Sequence, residues 1–89
     1  MKIATFNNGK TVEYGGKVQY EYCWAIFSGD SMIDKGFSKE YRRGVQSSEN
    51  NCRQWLKGSM APEGFAENHR IEITKLTGGE PEKVSSWKL

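Results

Sequence analysis

Nucleophilic chemistry in this chain would have to be built from His69, Cys23 and Cys52, the one histidine and the two cysteines of the sequence. A thiol or hydroxyl nucleophile needs a base beside it, and His69 is the only imidazole that could serve. Neither cysteine carries the flanking residues of a known cysteine enzyme, and a lone histidine opening a strand reads as an ordinary edge residue. Two cysteines and one histidine also fall short of a four-ligand structural zinc site. Metal-assisted hydrolysis would draw on Asp30, Asp34 and Glu49 with Glu72, the acids best placed to converge at strand ends. Gly15-Gly16 and Gly78-Gly79 lack the lysine and following helix of a phosphate cradle, so they read as hairpin or linker glycines. No catalytic residue, cofactor or metal ligand is assigned, and the expectation is a protein without enzymatic activity; a metal-dependent nuclease is the least favoured reading.

Binding chemistry is better represented. Between Lys35 and Lys57 stand six cations (Lys35, Lys39, Arg42, Arg43, Arg53, Lys57) and two acids (Glu40, Glu49). Between Glu63 and Glu82 the balance reverses, with five acids against Arg70 and Lys75. The net charge of +2 is too small to attract polyanions by itself, so any basic footprint is local. Phe37 and Tyr41, interleaved with the cations, could stack on bases while the cations take phosphates. Tyr20, Tyr22 and Trp24 alternate along one strand face, and Tyr and Trp are residue types of protein interfaces. That ladder is either covered by the first hairpin and the tail or exposed as a binding patch.

The elements that must position these residues follow from local patterning. Lys2 to Phe6 and Lys10 to Tyr14 flank Asn7-Asn8-Gly9, and Asn-Gly is the strongest short-range hairpin signal. Lys17 to Ser28 alternates as a strand, with Val18, Tyr20, Tyr22, Trp24 and Ile26 on one face. Its other face turns from polar to apolar at Cys23, as expected of a central strand whose far end is covered by a helix. Ser28-Gly29-Asp30-Ser31 is a turn, and Met32 to Ser38 returns with Ile33 and Phe37 on one face. Lys39 to Gln46 has no clean period and reads as a basic connection. A helix is expected from about Ser48 to Lys57, with a serine N-cap and an apolar stripe of Cys52, Trp55, Leu56 and Met60. Gly64 to Asn68 reads as loop and His69 to Leu76 as a strand. Residues 78–89 are a loosely docked tail or a last edge strand.

With 89 residues the chain is one small domain. The expected fold is α+β, a mostly antiparallel sheet of four to six strands with one short helix on one face, in the order β-β-β-β-α-β. No apolar stretch exceeds Cys23 to Phe27, which disfavours a signal peptide and a membrane span. Two cysteines make no disulfide framework, so buried free thiols in a reducing cytoplasm are expected, although a Cys23–Cys52 strand-to-helix disulfide stays open. The oligomeric expectation is a monomer or a homodimer paired through edge strands.

The long hairpin followed by a helix resembles the first half of an RNase-H-like fold, but the strand Lys17 to Ser28 holds Glu21 and no aspartate. In size, in lacking a catalytic set, and in combining the Asn7-Asn8-Gly9 hairpin, the aromatic strand around Tyr20, Tyr22 and Trp24 and the short helix around Trp55, the chain resembles small phage or mobile-element accessory proteins, of which the anti-CRISPR proteins are examples. The resemblance is architectural, and no residue role passes with it. It implies a stoichiometric inhibitor that binds a host protein or ribonucleoprotein complex handling nucleic acid. Tyr20, Tyr22, Trp24, Tyr41, Arg42 and Arg43 are the expected contact residues. The second reading is a small nucleic-acid-binding module using Lys35, Lys39, Arg42, Arg43, Arg53 and Lys57.

Overall fold

The computed structural model describes residues 2–7, 9–15, 20–58, 60–76 and 82–83. Lys2–Thr5 (β1) and Thr11–Tyr14 (β2) form an antiparallel hairpin, closed by Phe6 N–H to the Lys10 carbonyl at 2.9 Å and Gly9 N–H to the Phe6 carbonyl at 3.0 Å. Tyr22–Ser28 (β3), Ser31–Ser38 (β4), His69–Lys75 (β5) and Glu82–Lys83 (β6) form a second antiparallel sheet in the order β4-β3-β5-β6. Tyr41–Lys57 is α1, and Phe65–Asn68 is a single turn of helix, α2. The fold is α+β, as the sequence predicts, with the first hairpin forming a sheet of its own. Gly64 to Asn68, expected as loop, carries α2. The tail falls outside the described residues apart from β6, which pairs with β5 as a last edge strand.

Three layers result: hairpin, four-stranded sheet, helix. Trp24 and Ile26 of β3 join Ile71 and Ile73 of β5 beneath Cys52 of α1, while Cys23, Ala25 and Phe27 meet Ala4, Phe6 and Val12 of the hairpin. Both faces of β3 are therefore dry, which is why Cys23 to Phe27 is an uninterrupted apolar run. Phe27 meets Phe6 edge-on at 5.6 Å, and burying one such ring stabilises by roughly 2 to 3 kcal/mol. The helix thus covers the Trp24 face, and the hairpin covers the Cys23 face where the sequence reading put the helix.

Two further expectations are corrected. Ile33 and Phe37 do not share a face, because the β3–β4 register shifts between Ile26 and Phe27. The extra residue of this bulge turns Ile33 to the helix side, while Phe37 stays with Tyr14 on the hairpin side. The helix is also longer than expected. It begins at Tyr41 rather than near Ser48, so Lys39 to Gln46 is mostly helix rather than connection. Its buried residues Gly44, Ser48 and Cys52 recur every four positions, and all are small, so the sheet comes close to the helix axis. A Cβ on Gly44 would lie 2.7 Å from Ile73 Cδ1 and 2.8 Å from Ser38 Oγ. Gly44→Val is therefore expected to cost about 1 to 3 kcal/mol by overpacking, read as a lower denaturant midpoint at unchanged m-value. Gly36 plays the same part in β4, where the Trp24 indole occupies the space a Cβ would need.

A carboxylate locks the hairpin to the sheet. Glu72 is 2% exposed, accepts the Asn7 backbone N–H at 2.9 Å, and pairs with Arg70 Nε at 2.8 Å. Arg70 lies over the Phe27 ring at 4.6 Å and donates to the Gly29 carbonyl.

Candidate functional site

The cysteines sit on opposite faces of the sheet, Cys23 under the hairpin and Cys52 under α1, and both are free. This excludes the strand-to-helix disulfide and makes both buried thiols. Burial pushes the Cys23 thiol from 9.0 up to about 12, against a small opposing pull from Lys35, and the Cys52 thiol up to about 11, against Arg53. Neither is a thiolate at neutral pH, so neither is a nucleophile in the folded chain. Because the folded values lie above the unfolded one, the thiols' contribution to stability is intact below about pH 9 and is lost as pH rises towards 11 and 12. Two results are expected: no reaction with a thiol reagent at pH 8 until denaturant is added, and a fall in melting temperature above pH 9 that is reduced in Cys23→Ala.

The proposed acid set does not assemble. Asp34 faces the helix side and accepts a hydrogen bond from Trp55 Nε1 at 3.0 Å, whereas Glu72 faces the hairpin. Among the described residues no three of His, Cys, Asp and Glu are grouped to hold a metal ion. His69 directs Nδ1 at the Phe65 and Ala66 carbonyls, 3.2 and 3.1 Å away, and Cys23 pairs opposite Thr74 at the far end of the same strand. Among the described residues no helix is long and apolar enough to cross a membrane.

The aromatic ladder is divided. Trp24 is 5% exposed beneath α1 and offers no surface. Tyr22 is half-buried and meets Tyr41 edge-on at 5.7 Å, on the helix side. Tyr20 precedes β3 and stacks on Phe37 at 5.8 Å, on the hairpin side. The alternation assumed across Tyr20 and Tyr22 stops where the strand begins, and the helix, not the hairpin or the tail, covers Trp24.

The basic residues are brought together more fully. Lys35 leaves the set: it pairs opposite Ala25 and projects on the hairpin side of the edge strand β4. Lys39 is exposed just before α1. Arg42, Arg43, Arg53 and Lys57 are all exposed on α1. At roughly 100° per residue, Arg42, Arg53 and Lys57 lie within about 60° around the axis and Arg43 about 40° further on. This sector is diametrically opposite Gly44, Ser48 and Cys52, which fix the buried side. Gln46 and Asn50, both exposed, lie in the same sector and Gln54 about 20° beyond it, and Asn50 Oδ1 accepts from Arg53 Nη1 at 3.2 Å. The helix expected from Ser48 held Asn50 and Gln54 but not Gln46, which a start at Tyr41 would have added at the same four-residue spacing.

The N-terminal end of this face carries two cations, Arg42 and Arg43, against a single acid at the cap, Glu40. Helix N-termini favour acids, yet the first turn of α1 has none, and the N-cap residue Glu40 makes no side-chain cap. Instead Arg42 and Arg43 add charge to the positive end of the helix dipole. Glu40, a counter-charge 3.9 Å from Arg43 Nε, is solvent-exposed and contributes little. Glu49 borders the sector and is half-buried. An external anion along this face would relieve an unfavourable arrangement that local helix chemistry does not require.

No family model, no curated protein and no solved structure matches the chain.

Proposed function

We propose that the protein is a non-enzymatic interaction protein that binds, one to one, a host complex handling nucleic acid, as anti-CRISPR proteins do, with the outer face of α1 as its working surface. The observation that supports this reading is the gathering of Arg42, Arg43, Arg53 and Lys57 on the side of one helix directly opposite its buried stripe. Tyr41, 42% exposed at the start of α1, lies about 100° around the axis from Arg42, against Tyr22 on the sheet-facing side, and stands outside this surface. A rigid sheet behind the helix holds this surface in shape, so binding requires little ordering. The two unpaired, buried thiols suit a reducing host cytoplasm.

The test is capture from host lysate on the immobilised chain, with and without nuclease. The proposal expects a protein target retained at about one per chain, with nuclease reporting whether the contact runs through protein or through nucleic acid that the target carries. Recovery of nucleic acid with no protein target would replace the inhibitor reading with that of a small nucleic-acid-binding module.

A further inference from the structure

Resting on the reading of α1 as the working surface, we infer that its outer face is shaped to enter the major groove of a DNA duplex. The polyanion of that reading is then the DNA component of the target. A helix with its side chains is about 10 to 12 Å across, and the B-DNA major groove is about 12 Å wide. The 17 residues of α1 span about 25 Å, enough to cross the groove from one backbone to the other.

The order of side chains along the face fits this occupant. Its cations lie at the two ends, Arg42 and Arg43 in the first turn, Arg53 and Lys57 in the last two, about 15 to 22 Å apart along the axis. Between them stand Gln46 and Asn50, with Gln54 about 20° beyond, amides of the kind that pair with adenine N6 and N7 in the major groove, and in the free chain Asn50 Oδ1 accepts from Arg53 Nη1. Phosphates at both rims and base edges at the centre require this distribution. An acidic protein surface would have no need of neutral amides between the cations. Single strands are usually held on aromatic platforms, and α1 carries no aromatic residue in this sector, since Tyr41 falls on the sheet-facing side against Tyr22. Duplex RNA is excluded as the occupant because its major groove is too narrow for a helix.

The experiment is fluorescence anisotropy of the full chain with a labelled mixed-sequence 20-base-pair DNA duplex. Competitors are a single strand of the same length, an RNA duplex and polyglutamate. The inference expects the DNA duplex to be the best ligand. Its log affinity should fall against log salt with a slope of about −3.6, for four phosphates. Arg42→Glu with Arg53→Glu should weaken binding at least tenfold, and the bound chain should protect guanine N7 from dimethyl sulfate. Polyglutamate binding as tightly as duplex would overturn it in favour of an acidic protein surface. Equal affinity for single strands, or no binding at low salt, would also overturn it. If a nuclease-resistant target is captured through α1 while duplex is not bound, this inference fails and the proposed function stands.

Discussion

Glu72→Ala is expected to lower the stability of the fold by about 3 to 5 kcal/mol, the usual cost of removing one member of a buried ion pair. The carboxylate has two dependants. Without it the Asn7 N–H loses its acceptor under the hairpin, and Arg70, only 25% exposed, keeps its charge without a counter-charge. A small domain has about 5 to 15 kcal/mol in total, so the loss is a large share of it. At about 4 to 8 °C per kcal/mol, thermal unfolding should drop by at least about 12 °C. Glu72→Gln keeps the volume and an acceptor for Asn7 and should fall between the two. A loss below about 1 kcal/mol in Glu72→Ala would show that the hairpin is held by its apolar contacts alone.

The second large effect concerns binding, and its sign differs from its effect on folding. Arg42→Glu with Arg53→Glu is expected to reduce affinity for the target about a hundredfold, because like charges placed across an interface cost several kcal/mol. Arg42→Glu alone should raise the melting temperature slightly. It places an acid in the first turn of α1, worth about 0.3 to 1 kcal/mol against the helix dipole. Binding lost while stability is kept or gained is the signature of residues retained for contact. Parallel losses of both would instead assign these arginines to the fold.

The fold was legible in the sequence where turn chemistry and alternation agree. Asn7-Asn8-Gly9 and Ser28-Gly29-Asp30-Ser31 mark both hairpins, and the β5 pattern around Ile71 and Ile73 needs no correction beyond its end. What misled was the use of large apolar residues as the helix signal. In α1 the contact stripe runs through Gly44, Ser48 and Cys52, small because the sheet lies so near, and Ser47-Ser48 mimicked an N-cap in mid-helix. Ser48 instead bonds back to the Val45 carbonyl at 2.9 Å, fully buried. Losing the first turns of the helix also hid Gln46 on its outer face. The bulge at Ile33 and the break before Tyr22 are likewise silent in a pattern of period two, since both change which face a side chain takes without changing its type. The basic segment was visible as composition; that its cations converge on one side of a single rigid helix was not.

The most direct test of α1 as the working surface is site-specific photocrosslinking in host lysate. A benzophenone amino acid replaces either Gln46, on the outer face of α1, or Glu13, exposed on the hairpin. The account predicts one dominant crosslinked target from position 46, lost when Arg42 and Arg53 are reversed, and none from position 13. Crosslinking from position 13 with position 46 silent would contradict it and move the working surface to the opposite side of the molecule.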